Sequence, residues 1–296
     1  MLGRYHGIFG YSDDNWLLAP SLSALQDMLI TCEEYAASHN LQFSTDPNPD
    51  KCKTKLMAFL KKPRELPSLK LCETDLPWVK KVKHLGNTIS NTMDGNQLDM
   101  KVKTAKYVDK NNTICQEFHF AHPKTKSTVN NIYNGHFTGS QLWKIDSKEY
   151  EKVISTYNRS VKIMYDLPWA THRRLIEPLT GDQHVSRILV RRYMSFIDKI
   201  KKSSKSSLKQ LLEVVKNDVR LTTGHNLRSI MMLAEKNTIE DLEVENADFD
   251  YYKLEENEEW KANIAQELID IRHGGLEVPG MEADELKEIL DYICTG

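Results

Sequence analysis

Apolar side chains flank a short polar stretch near the start of the chain, with Ile8, Phe9 and Tyr11 before it and Trp16, Leu17 and Leu18 after it. The polar stretch is Asp13-Asp14-Asn15, and aspartate and asparagine are typical of turns. Apolar flanks on both sides of a polar turn predict an antiparallel strand pair over residues 4–19. In residues 22–39 the apolar positions recur every three or four residues, which predicts an amphipathic helix that packs against this pair.

Further strands are predicted after the rigid Asp-Pro-Asn-Pro turn at 46–49. The segment KTKLMAF at 53–59 predicts one strand. Residues 66–90 alternate apolar and polar side chains, with a turn at 73–77. This pattern predicts a hairpin that continues into a third strand at 83–89.

The hydrophobic period changes from two to about 3.6 after Asp94-Gly95, and almost no strand pattern follows. The new period predicts helices at 98–120, 125–138, 147–166, 184–202, 206–216, 224–236, 257–273 and 282–293. The whole pattern therefore predicts an α+β fold, with antiparallel strands and a packed helix first and a mostly helical remainder.

Charge divides the helical part of the chain, although the net charge of the whole protein is only −2. Residues 159–202 are rich in arginine and lysine, whereas residues 240–259 are rich in acidic side chains. A near-neutral protein has no overall basic field, so any affinity for nucleic acid must come from a local patch. The serine-rich segment SSKSS at 203–207 is the best candidate for a linker.

Several classes of protein are disfavoured by the composition. No apolar run approaches the ~20 residues that cross a bilayer, and the start of the chain does not resemble a secretion signal. We therefore expect no membrane partner and an intracellular location in the cytoplasm, the nucleus or both. The cysteines are odd in number and form no CxxC pair, which indicates reduced thiols: Cys32, Cys52, Cys72, Cys115 and Cys294.

The neighbouring carboxylates Asp13 and Asp14 have two interpretations. They can simply form a polar hairpin turn, or they can bind a divalent cation that offsets their mutual repulsion. The local pattern alone favours the turn, because short motifs are weak evidence.

Five segments, in this order, resemble the reverse transcriptases of non-LTR (LINE-type) retrotransposons. GYSDD is similar to the Tyr/Phe-Ala-Asp-Asp motif of that family, with Ser12 in place of the usual alanine. The resemblance extends over about residues 4–200 and is carried by GYSDD at 10–14, NPDKCKTKLMAF at 48–59, HLGNTI at 84–89, GSQLWKID at 139–146 and YNRSVKIMYDLPWATHRRLI at 157–176. The order and spacing of these segments favour the metal-binding interpretation of the two aspartates.

The resemblance implies three regions. Residues 1–95 are expected to form part of a polymerase palm, from the Asp-Asp hairpin to the primer grip. Residues 96–202 are expected to form a helical thumb, and residues 203–296 a helical C-terminal extension with the acidic segment. The implied reaction is nucleotidyl transfer with two Mg²⁺ ions, which stabilise the attacking and leaving oxygens.

The resemblance also implies roles for individual residues. Asp13 is the principal metal ligand and Asp14 a neighbouring support. Lys51 matches a lysine near the incoming triphosphate, although an ordinary solvated lysine is an equal alternative. Leu85 and Gly86 belong to the primer grip.

The basic region is expected to contact an RNA template and a DNA primer, with deoxynucleoside triphosphates as further partners in the full-length enzyme. Phosphate contacts are expected from Arg173, Arg174, Arg187, Arg191 and Arg192. A solvated charged face is the alternative. Trp143 and Trp169 can stack on bases, but core positions are the favoured interpretation, and the pair His119 and His122 is more typical of ordinary histidines than of a metal site.

Only twelve residues precede Asp13 in this sequence, whereas the other metal-binding aspartate of the family lies on an earlier strand. We therefore expect the chain to be a fragment that does not polymerise by itself. Two alternatives stay open. One is a non-catalytic helical module that binds RNA or an RNA–DNA duplex, and the other is a decayed transposon remnant.

Overall fold

The computed structural model describes residues 7–48, 50–60, 65–92, 95–133 and 137–242. The chain divides into two compact units, residues 1–95 and residues 96–296. The helices predicted at 257–273 and 282–293, and most of the acidic segment, lie outside the described residues.

The first unit begins with the predicted hairpin. Strand β1 (Ile8–Tyr11) pairs antiparallel with β2 (Asp14–Leu17), so that Tyr11 lies opposite Asp14 and Ile8 opposite Leu17. The two-residue connection Ser12-Asp13 forms the tip, so the turn predicted at residues 13–15 is displaced by one residue, and Asp14 and Asn15 pair within β2. The strand prediction for this segment is confirmed over residues 8–17.

The predicted first helix is also confirmed, as α1 (Leu22–Ser38). Ser21 begins it as the N-cap, because its hydroxyl accepts a hydrogen bond from the amide of Ala24 at 3.2 Å. On its buried side, Leu29 joins a small core with Cys52, Leu56, Leu69, Leu71 and Leu76. Leu17 of β2 packs at the margin of this core, which connects the hairpin to the helix.

Two further hairpins follow in the first unit. The strands β3 (Lys70–Leu71) and β4 (Thr74–Asp75) form a very short antiparallel pair. The strands β5 (Lys81–His84) and β6 (Asn87–Ser90) form the second pair. In its described residues, the unit is therefore a set of separate two-stranded hairpins and one helix.

Two strand predictions are wrong in detail. In the segment 53–59 only Leu56 pairs, in a single bridge beside Trp78, and its side chain is instead buried in the core. The predicted continuous strand at 83–89 is interrupted at Leu85 and Gly86, whose φ angles of +46° and +81° reverse the chain. Positive φ at both central residues is the geometry of a tight hairpin turn.

The second unit is helical, as the change of period predicts. Among the described residues its helices are α2 (Gly95–Glu117), α3 (Pro123–Tyr133), α4 (Lys148–Met164), α5 (Ile176–Thr180), α6 (Val185–Lys202), α7 (Ser206–Val215) and α8 (Thr222–Leu233). No strand occurs after residue 95 in the described part of the chain, so this prediction is confirmed there. The fold is thus a mixture of helices and short antiparallel strand pairs. The five-residue helix α5 was not predicted, because one turn is too short to show a period.

The core of the second unit lies between α4 and α6, and α7 and α8 contribute to it. Its centre includes Trp143, Tyr157 and Tyr193, together with Leu212 of α7 and Ile230 of α8. Helices on both sides of the serine-rich segment therefore share one core. No helix in the described part of the chain is long and apolar enough to cross a bilayer.

Candidate functional site

The two carboxylates lie at the tip of the β1–β2 hairpin. Ser12 has a φ of +55°, which the first residue of a two-residue hairpin turn requires, and Asp13 completes the turn. Asp13 is exposed, and the side chain of Asp14 is 57% exposed. The hairpin therefore presents two neighbouring negative charges to solvent.

His84 connects this tip to the second predicted motif. Its Nδ1 lies 3.9 Å from Oδ2 of Asp14, and its ring contacts Trp16 edge-on, with ring centroids 4.9 Å apart. His84 is also the last residue of β5, directly before Leu85 and Gly86. The structure thus brings the carboxylate hairpin close to the turn that the resemblance assigns to the primer grip.

His84 is a site residue that sequence reasoning missed. The only signal was its position in HLGNTI, where the family pattern has tyrosine. At 3.9 Å the contact between Nδ1 of His84 and the carboxylate of Asp14 is longer than a hydrogen bond, so it is a weak attraction. Leu85 is substantially exposed, and the space beside Gly86 is open.

Lys51 is not joined directly to the two carboxylates. Its side chain is exposed, and its backbone amide donates a hydrogen bond to the carbonyl of Asn48 at 3.0 Å. Within the described residues, no hydrogen bond or ion pair links Lys51 to Asp13 or Asp14. Its predicted role beside a triphosphate stays a prediction.

The described residues do not by themselves fit a centre for two Mg²⁺ ions. Among them, no three His, Cys, Asp or Glu side chains lie close enough together to hold a metal ion. Asp13 and Asp14 come from a single turn, whereas the two-metal reaction needs carboxylates that hold both ions. The pair can at most supply part of such a centre, since Mg²⁺ usually combines one or two carboxylates with phosphates and water.

The histidines of the HFAH segment have local structural contacts. Nδ1 of His119 lies 3.1 Å from the carbonyl oxygen of Gln116. His122 accepts a hydrogen bond from the amide of Lys124 at 3.2 Å, just where α3 begins. His122 therefore acts at the start of this helix, where amides lack partners within the helix.

The five predicted phosphate-binding arginines are only partly exposed, and carboxylates accompany some of them. Arg187 forms an ion pair with Glu177 at 2.8 Å, and Arg173 lies 4.0 Å from Glu151. The other three are Arg174, Arg191 and Arg192. Burial lowers the pKa of Arg192. Neighbouring carboxylates and partial burial weaken the positive field of these arginines. Their surface is therefore less basic than five arginines in solvent would be.

The two tryptophans of the resembling segments differ sharply in their surroundings. Trp143 is 1% exposed and donates its indole N–H to Oδ2 of Asp99 at 2.8 Å, so the core interpretation is confirmed for it. Trp169 is 67% exposed, so the core interpretation is wrong there. It follows Pro168 in the connection after α4 and lies at the surface, whereas Trp143 lies in the core.

Two cations of α4 lie near the exposed ring of Trp169. The guanidinium carbon of Arg159 lies 5.0 Å from the ring centroid, and Nζ of Lys162 lies 6.0 Å from it. The pKa of His172, three residues later, is lowered by burial and by the nearby positive charges of Arg173, Arg174 and Lys162. Positive charge is therefore concentrated on this side of α4.

Comparison of the chain with protein-family models, with curated proteins and with solved structures gives no match. The resemblance to reverse transcriptases is thus carried by the short motifs and their order alone.

Proposed function

We propose that the chain is the C-terminal part of the palm, with the thumb, of a non-LTR retrotransposon reverse transcriptase. On this proposal the chain alone binds nucleic acid and does not extend a primer. The observation that carries the proposal is the Asp13-Asp14 pair at a tight hairpin tip, close to the turn formed by Leu85 and Gly86.

The chemistry supports this assignment. Nucleotidyl transfer by two metal ions needs carboxylates exposed where a primer end and a triphosphate can approach. A two-residue hairpin presents Asp13 and Asp14 in this way, and Ser12 is small enough to leave the approach open. A polar turn without function remains the competing explanation, and mutation of Asp13 distinguishes the two only in an enzyme with all its metal ligands.

The expected lack of activity follows from the same geometry. Two carboxylates from one turn cannot hold two ions and also orient a triphosphate. Loss of one element of a catalytic centre commonly lowers the rate by orders of magnitude. Binding of nucleic acid does not require a complete set of metal ligands, because contacts with phosphates depend on the basic side chains of the helical unit.

Two assays on the purified 296-residue chain test the proposal. Primer extension on an RNA template with Mg²⁺ is expected to give no product. Binding to an RNA–DNA duplex is expected to weaken steeply with salt, by ~40-fold over a fourfold rise in concentration when three phosphates are neutralised. Reversal of Arg187 and Arg191 to glutamate is expected to weaken binding and to flatten this dependence.

A matched double variant controls for net charge. Lys205→Glu with Lys209→Glu changes the charge by the same amount at exposed positions outside the predicted arginine set, and it should bind nearly as the parent does. Primer extension that disappears in Asp13→Ala would show that the chain is active alone. Binding that does not respond to salt, or that survives the arginine reversal, would remove the nucleic-acid role.

A further inference from the structure

One surface of the helical unit combines an exposed aromatic ring with positive charge. Arg159 and Lys162 are three residues apart in α4, so both project from the same side of the helix. Trp169 lies against both cations. We call these three residues the Trp169 surface.

The position of Trp169 is held by its neighbours in the chain. Lys162 donates a hydrogen bond from Nζ to the carbonyl of Trp169 at 2.9 Å. Leu167 and Thr171, two residues before and two residues after Trp169, are buried, and the amide of Thr171 donates a hydrogen bond to the carbonyl of Pro168 at 3.0 Å. A turn anchored at both ends therefore presents the indole to solvent.

The segment that contains this ring is rich in positive charge. Residues 159–174 contain four arginine or lysine side chains and one carboxylate, Asp166. Arg159 has no ion-pair partner within the described residues, in contrast to Arg187. Its guanidinium can therefore contact an added anion while it remains close to the ring.

We propose that the Trp169 surface binds single-stranded nucleic acid, with an unpaired base stacked on Trp169 and adjacent phosphates contacted by Arg159 and Lys162. This inference rests on the proposed nucleic-acid role and specifies which form of nucleic acid is bound. Bases in a duplex already stack on each other, whereas a single strand can offer a free face to an aromatic side chain. The exposed indole is thus selective for unpaired bases, while the cations alone are not.

An acidic protein segment is the main alternative partner for a basic surface. It would satisfy the charges of Arg159 and Lys162, but it would gain nothing from stacking on the indole. The exposure of Trp169 between these cations favours a partner that has both flat bases and phosphates.

Fluorescence anisotropy with a labelled short RNA, single-stranded or annealed to its complement, tests the inference. Trp169→Ala is expected to weaken single-strand binding about tenfold and to change duplex binding by less than about twofold. Trp169→Phe is expected to keep most of the affinity, because phenylalanine retains a ring for stacking. The matched control is Phe120→Ala, which removes another exposed aromatic of the same unit, 78% exposed, and should leave both affinities unchanged.

The outcomes separate this inference from the proposed function. Salt-dependent duplex binding with no effect of Trp169→Ala on the single strand would overturn the inference and leave the proposed function intact. An equal loss for single strand and duplex would also overturn it. Failure of the chain to bind any oligonucleotide would overturn both this inference and the proposed function. Polyglutamate that competes with the single strand equally well in the parent and in Trp169→Ala would identify an acidic protein partner instead.

Discussion

At the scale of single residues, the hairpin tips are where backbone conformation matters most. An L-residue at positive φ places its Cβ too close to the backbone, at a cost of roughly 1–2 kcal/mol. Ser12 adopts φ +55° at the carboxylate tip, and in the β5–β6 turn Leu85 adopts φ +46° at the corresponding first position, followed by Gly86 at φ +81°. The carboxylate hairpin therefore keeps a serine where glycine would be easier to accommodate.

Replacement of Ser12 by glycine is expected to stabilise the first unit by about 0.5–1 kcal/mol, because it relieves the strain at positive φ. Thermal unfolding of the purified chain measures the change. Gly86→Ala is the matched control with the opposite sign. A Cβ at Gly86 meets no atom within 4 Å, so its cost is that of the backbone alone. Destabilisation by Ser12→Gly would contradict the strain argument.

At the scale of elements, buried polar groups join the helices of the second unit. The carboxylate of Asp182, after α5, accepts hydrogen bonds from Tyr165 at 2.9 Å, Lys124 at 2.8 Å and the hydroxyl of Ser127. Burial and this carboxylate raise the pKa of Tyr165. These contacts tie α3 and the end of α4 to the segment that leads into α6.

Asn226 of α8 has a similar role for the segment GSQLWKID. Its amide nitrogen donates to the carbonyl of Trp143 at 2.7 Å, and its oxygen accepts from the amide of Ile145 at 2.9 Å. One buried side chain therefore provides hydrogen-bond partners for two backbone groups of an irregular segment. An irregular segment that is buried needs such partners, because it lacks the regular hydrogen bonds of a helix or sheet. This explains structurally why Trp143 lies in the core.

Alkaline pH is expected to loosen the contact between α2 and α4. Tyr107 of α2 stacks on Tyr157 of α4 with ring centroids 5.6 Å apart, and burial raises the pKa of Tyr107 to about 12. The folded pKa lies above the ordinary value of about 10, so the stabilisation is complete below pH ~10 and is lost as the pH rises through ~12. The loss amounts to about 3 kcal/mol in the free energy of unfolding.

Urea unfolding at a series of pH values measures this loss. Tyr107→Phe has no phenol to ionise, so its stability should fall less steeply between pH ~10 and ~12 than that of the parent. Tyr35→Phe removes an exposed tyrosine and serves as the control. Parallel pH profiles for the parent and Tyr107→Phe would show that Tyr107 makes no such contribution.

At the scale of the whole molecule, each compact unit has a hydrophobic core of its own. The first core consists of a few leucines and Cys52 around Leu29, whereas the second extends over most helices of its unit. Apolar side chains of the carboxylate hairpin, including Ile8, Phe9 and Tyr11, remain exposed. Burial of less apolar surface gives the first unit the smaller share of stability.

Calorimetry is therefore expected to resolve two unfolding transitions, with the first unit melting at the lower temperature. Leu29→Ala should lower only the first transition, and Ile230→Ala only the second, since each removes buried methyl groups at a cost of about 2–5 kcal/mol. A single transition that shifts equally in both variants would contradict two independent cores.

The sequence by itself determined the long elements of this protein. The helices α4 and α6 repeat their apolar residues over several turns, and this period predicts them to within a few residues. The hairpin at 8–17 was likewise predictable, because apolar flanks and a polar turn agree there. The sequence did not predict that the segment 53–59 is irregular, because its apolar residues fit a strand equally well. Only the pairing with neighbouring backbone distinguishes a strand from a loop, and here that pairing is limited to one bridge at Leu56.

Tertiary structure alone decided which predicted site residues meet and which are exposed. Sequence spacing cannot show that His84 approaches Asp14 across some 70 residues, because separate hairpins are brought together by packing. Nor can it distinguish Trp143 from Trp169, since both follow similar patterns of polar and apolar residues. Burial is a property of all neighbours in space. Local sequence therefore specifies the element, whereas the packing of elements specifies which side chains remain available for a partner.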